Sequence, residues 1–138
     1  MPNSYYKLHT TNASWPEAYK VCAGEQAHLI ILNSAEEAQL CADIFTEYAG
    51  STSGYFRKDG VLVGVARFMT KGEFTTIDGK TLSEAGYSDW HWSPTPENSP
   101  CVILYQKTSH GKFKLANISC NGKEFLFMCE KNTSQGYR

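Results

Sequence analysis

Five cysteines, Cys22, Cys41, Cys101, Cys120 and Cys129, are the first residues to test for chemistry. A thiol can ligate zinc, act as a nucleophile or oxidise to a bridge. Zinc sites and thioredoxin-like centres need paired cysteines, or histidines at fixed offsets from them. No Cys-x-x-Cys occurs, and His9, His28, His91 and His110 do not stand at such offsets. Disulfides in an oxidising compartment are the better reading, with one cysteine left over. Spacing alone leaves the pairing open. Three sequons, headed by Asn12, Asn117 and Asn132, also suit a secreted glycoprotein. Catalysis has nothing comparable behind it. No serine–histidine–aspartate motif, nucleophile elbow or phosphate loop is present, so no enzyme is expected. A cluster of aromatics, Tyr87, Trp90, His91 and Trp92, is the other chemical feature. Aromatic faces stack on sugar rings and anchor interfaces.

Composition narrows the partners. The chain has 138 residues, enough for one domain, and we read residues 1–138 as one. Hydrophobic residues at 41% and charged residues at 20% suit a packed core and argue against disorder. The 13 Lys+Arg balance 14 Asp+Glu to a net charge of −1, so nucleic acid is not an expected partner. The longest apolar run, Val61–Ala66, is too short to span a bilayer. Met1-Pro2-Asn3-Ser4 does not read as a signal peptide, so a secreted protein is expected here in mature form.

The elements that must position these residues follow from periodicity and caps. Tyr5–His9 alternates as a strand. Ser14 and Glu17 form a capping box with Pro16 in the first turn, starting a helix that Gly24 stops. His28–Leu32 reads as a short buried strand. Ser34 and Glu37 suggest a second capping box, with a helix to about Phe45. Val61–Val65, Cys101–Tyr105 and Phe125–Cys129 read as strands, the last apolar on both faces and therefore central. Met69–Pro100 has little periodicity and holds Gly72, Gly79, Gly86, Pro94, Pro96 and Pro100. A long irregular loop inside a domain is usually functional. Two helices, several short strands and one long loop make an α+β domain.

In this order the residues resemble the C-type lectin-like domain across nearly the whole chain. The resemblance is carried by the opening strand and by Trp15-Pro16-Glu17-Ala18 leading to Cys22. It is carried further by Ala27-His28-Leu29, by Asn33-Ser34-x-x-Glu37, and by Val63-Gly64-Val65 at the family's Trp-Ile-Gly position. Cys101…Cys120-x8-Cys129-Glu130 fits the closing signature. Gly72-Glu73-Phe74 through Gly86-Tyr87-Ser88-Asp89-Trp90 resembles insect immune lectins of the moth (immulectin) type. The resemblance implies short antiparallel sheets stapled by Cys22–Cys129 and Cys101–Cys120. Cys41 has no family partner; it is expected as a buried thiol, with an intermolecular disulfide as the alternative. Trp90 aligns with a packing residue, leaving Trp92 as the aromatic available for contact.

Sugar-binding members of the family use calcium held by two triplets: Glu-Pro-Asn or Gln-Pro-Asp in the long loop, and Trp-Asn-Asp before the third framework cysteine. Here Thr95 and Glu97 flank Pro96, and the second triplet maps to Leu115-Ala116-Asn117. Only Glu97, Asn98 and Asn117 remain as oxygen donors, against the 6–8 that calcium takes. We therefore expect no metal and no cofactor. Ligand contact is assigned to Trp92, Thr95, Glu97, Asn98 and Asn117, although a glycan on the Asn117 sequon would cover that site. The resemblance implies a secreted recognition module of innate immunity that binds microbial surface carbohydrate. The alternative is a member that has lost sugar binding and engages a protein partner or suppresses host immunity.

Overall fold

The computed structural model describes residues 4–52, 56–68, 72–94, 99–108 and 111–132. Strand β1 (Ser4–Ala13) leads into helix α1 (Trp15–Gly24), then β2 (His28–Leu29) and helix α2 (Ala35–Gly50). Strand β3 (Gly60–Ala66) follows, then β4 (Thr75–Thr76), the short helix α3 (Leu82–Ala85), and strands β5 (Cys101–Gln106), β6 (Phe113–Ile118) and β7 (Phe125–Asn132). The sheet order is β1-β7-β3-β5-β6, with β2 on β7 and β4 on β3. All pairings are antiparallel except β3 with β7. No helix among the described residues is long and apolar enough to cross a membrane.

The apolar strands explain the layering. Strand β7 lies inside the sheet, as its two-sided apolar sequence requires. Its Leu126 and Met128 join Val61, Val63 and Val65 of β3 in a core with Phe45 of α2. Phe125, Phe127 and Cys129 face the other way, joining Leu62, Trp15 and Ala18. The alternation thus sends one set of side chains under each helix. The Trp15 indole N–H donates to the Val63 carbonyl at 2.8 Å and ties α1 to the central strand.

Helix α1 starts as the sequence predicts, with both halves of the Ser14–Glu17 capping box made. Helix α2 differs. Ser34 accepts from the Glu37 N–H at 3.0 Å, but Glu37 does not reach back to the Ser34 backbone. Its carboxylate takes the Asn33 N–H at 2.9 Å and the Tyr6 hydroxyl at 2.6 Å instead. The tertiary partner Tyr6 draws this side chain off the local motif. The helix also runs past Phe45 to Gly50, because Ala49 continues the buried stripe. The expected strand 28–32 pairs only at His28 and Leu29. Beyond them the segment wedges between two strands: the Ile30 N–H donates to Met128 at 3.0 Å, and the Ile30 carbonyl accepts from Gly64 at 2.8 Å. Glycine is needed there, since a Cβ on residue 64 would lie 2.7 Å from the Leu29 carbonyl oxygen. The structure joins Cys22 to Cys129 and Cys101 to Cys120, the pairs that the resemblance implies. Cys41 is a free, fully buried thiol on α2, and burial pushes its pKa up, with the charges of Glu37 and Glu130 adding to the rise.

Candidate functional site

The loop that the sequence leaves irregular is anchored to the outer strand pair. Strands β5 and β6 pair from Cys101 with Ile118 to Gln106 with Phe113, and the Cys101–Cys120 disulfide closes that ladder's end. The loop returns across β6: the Leu115 N–H donates to Asp89 at 2.9 Å, and the His91 N–H donates to Leu115 at 3.0 Å. Within the loop, α3 is started by a capping box between Thr81 and Glu84 and ended by Gly86 at φ +112°. A Cβ on residue 86 would lie 2.2 Å from the Asn33 carbonyl oxygen, so the loop is pinned against the start of α2 by a position that only glycine fills.

This scaffold divides the aromatics. Trp90 bridges Leu115 and packs edge-on against Phe74, ring centres 5.2 Å apart, so it serves the core. Tyr87 is buried, and burial with the nearby Asp89 charge pushes its phenol up to about 12. His91 donates from Nε2 to the Tyr105 carbonyl. Trp92 stays 41% exposed. Its indole N–H donates to Asn117 Oδ1 at 2.9 Å, and its ring meets Tyr105 at 6.1 Å. Asn117 is only 8% exposed, and its Nδ2 donates to the Ser99 carbonyl at 3.0 Å. Of the expected contact residues, the structure therefore joins Trp92 and Asn117 directly. Thr95, Glu97 and Asn98 lie outside the described residues, as does His110.

The same geometry tests calcium. Ala116 is buried at 1% exposure and has no side-chain oxygen. The one side-chain oxygen of the Leu115-Ala116-Asn117 triplet accepts the Trp92 indole. A neutral amide already in use, beside an alanine, does not fit a hard cation that wants several charged oxygens. In another gathering of ligand-type side chains, His9, Glu25 and Cys129, the Cys129 sulfur is taken up in a disulfide and offers no thiolate. The sequons separate too. Asn12 and Asn132 are exposed, whereas the Asn117 nitrogen that a glycan would take is turned inward onto Ser99. Sequence reasoning passed over Ser99 and Tyr105, which hold this site by a backbone carbonyl and a ring edge and carry no motif. It also passed over Arg67, the residue that follows β3.

Similarity to known proteins agrees with this architecture. A hemolymph lipopolysaccharide-binding protein of Periplaneta americana is 36% identical over 130 residues, which cover 91% of this chain and 48% of that protein. The chain thus spans about half the length of that curated relative. A snaclec coagulation factor IX-binding protein of Protobothrops flavoviridis is 30% identical over 128 residues, covering 91% of this chain and 87% of that one. Among solved structures, the calcium-independent C-type lectin SPL-2 of Saxidomus purpuratus superposes with a TM-score of 0.75 at 16% identity, over 96% of this chain and 88% of that one. The family description "Lectin C-type domain" matches residues 11–131. With the two framework disulfides and the loop held over β5 and β6, that match makes the chain a member of the C-type lectin domain family.

Proposed function

We propose that this domain is a secreted, non-enzymatic carbohydrate-recognition module of innate immunity that binds microbial surface glycans without the family's usual calcium bridge. The observation that carries the reading is the Trp92–Asn117 contact. The amide that would have served a metal instead orients an exposed indole. An indole face held by a hydrogen bond at its edge is suited to stack on a sugar ring. In this reading Thr95, Glu97 and Asn98 supply polar contacts beside it, and Asn117 acts through Trp92 as a positioning residue. The lipopolysaccharide-binding relative supports the ligand class, and the calcium-independent neighbour supports metal-free binding within this fold. Weak single sites suffice where a microbial surface repeats its sugars, because multivalent contact multiplies affinity.

A glycan array, run with calcium and again with chelator, tests the reading. Binding is expected to survive chelation and to fall when Trp92 is replaced by alanine. Signals that vanish in chelator would refute metal-free recognition. A blank array under both conditions would favour a protein partner, the reading that the factor IX-binding relative supports.

A further inference from the structure

The same loop lines most of a cleft of about 690 Å³, a size that accepts a small ligand. Arg67, Glu73, Phe74, Thr81, Ser88 and Trp90 are among the residues that line it. Arg67 is its unusual member. Its buried Nε has no hydrogen-bond partner among the described residues. Among the described residues Arg67 also forms no salt bridge, although the exposed carboxylate of Glu73 lines the same cleft. Buried side-chain donors are rarely left without an acceptor, and each one asks for an explanation. Nε itself is closed to solvent, but the two terminal nitrogens of a guanidinium also present paired N–H groups whose spacing matches the two oxygens of a carboxylate or phosphate. Beside it, the edge-packed Phe74 and Trp90 rings offer an apolar wall of the kind that receives the C–H face of a pyranose. Exposed Ser88 can meet ring hydroxyls from the rim. Glu73 adds one negative charge there, which admits a single acidic group on a hydroxylated ring and disfavours a polyanion.

We propose that this cleft is a second ligand subsite, in which Arg67 takes the acidic group of a sugar and the Phe74–Trp90 pair supports its ring. The inference rests on the reading of the domain as a glycan binder but uses none of the residues of the Trp92 face. Carboxylate and phosphate share the recognising chemistry, so the test carries an arm for each.

The intact, disulfide-bonded protein is titrated in chelator with glucuronic acid, glucose 6-phosphate and glucose. Calorimetry gives affinities, and NMR follows the Arg67 Nε–H and the Trp90 indole N–H. At least one acid is expected to bind about tenfold or more tighter than glucose, the scale of one charge-assisted hydrogen-bond pair. The shifts should centre on Arg67 and Trp90. Arg67→Gln should lower that affinity by about tenfold or more, with glucose unchanged, while Arg67→Lys should recover part of it. The wild-type shift map stands even if a variant folds poorly. Equal affinity for acid and neutral sugar, shifts centred elsewhere, or full affinity in a folded Arg67→Gln would overturn the subsite. If the array binds glycans and Arg67 responds to neither acid, only this cleft is refuted. If the array is also blank, the glycan-binding reading falls with it.

Discussion

The sheet is held at two places by the same kinds of device, a disulfide beside a buried polar side chain, yet the two differ in charge. Glu37 of α2 and Glu130 of β7 are both buried, and Tyr6 of β1, which reaches Glu37, pairs in register with Glu130. Tyr6 donates to Glu37, while Ser4 and the Ile31 N–H donate to Glu130 at 3.0 and 3.1 Å. Under the long loop, the corresponding part is a neutral amide, Asn117, joined to Trp92 and Ser99. A buried carboxylate needs donors on every side and still responds to its neighbours' charge. A buried amide accepts at its oxygen and donates at its nitrogen, and carries no titration of its own. The buried side chain behind the proposed recognition face is therefore one that carries no charge of its own, while the framework holds the charged pair.

The largest effect expected from breaking this comparison comes from the two disulfides. Replacing Cys22 and Cys129 by serine opens a sequence separation of 107 residues, against 19 for Cys101 and Cys120. On the chain-entropy account the losses are about 4.7 and about 3 kcal/mol. Urea titrations of the two double variants should rank them in that order. Next comes Tyr6→Phe, which leaves a buried oxygen of Glu37 without its hydroxyl donor. We expect a loss of about 2 kcal/mol by the same titration. A loss within error would show that water replaces the hydroxyl.

The smallest effect is the most diagnostic. Burial raises the pKa of Glu130, opposed by the Ile31 N–H and reinforced by the Glu37 charge. A carboxyl with a raised folded-state pKa binds its proton more tightly in the native state. Its contribution is therefore full below its unfolded pKa and is lost as pH rises through its folded pKa. Melting temperatures from pH 4 to 8 should show a decline that Glu130→Gln flattens. Asn117→Ala should lower the melting temperature by the same amount at every pH. A pH-dependent Asn117→Ala effect would dissolve the distinction between the two places.

Much of this was legible in the residues. Ser14 and Glu17 announce α1 because the box is local and nothing competes for it. Strand β7 was readable as central because both of its faces are apolar. The boundaries failed where tertiary contacts decide. Glu37 reads as a cap but answers to Tyr6, thirty-one positions away in sequence. Strand β6 escaped notice because Lys114 and Asn117 break its apolar alternation, and the burial of Asn117 depends on Trp92 and Ser99 across the fold. Helix α3 did carry a readable signal, Thr81-x-x-Glu84, hidden in a stretch dominated by glycine and proline. The candidate site divides in the same way. Trp92 stood out by type, but the role of Asn117 lies in a contact that no spacing encodes.

The pairing of Ser4 with Asn132 has a mechanical consequence. Pulling on these two positions would load the β1–β7 ladder as a zipper, one pair at a time, because both strands leave the sheet at the same corner. Peeling would pass Tyr5 with Lys131 and Tyr6 with Glu130, and then meet Lys7 opposite Cys129. There the bond to Cys22 takes the tension, and force can travel through the covalent bridge without entering the chain between the two cysteines. Everything that holds the long loop, from β3 to β6, lies inside that shielded span. A domain tethered to a surface by both ends could thus lose its first strand under load and keep its long loop in place.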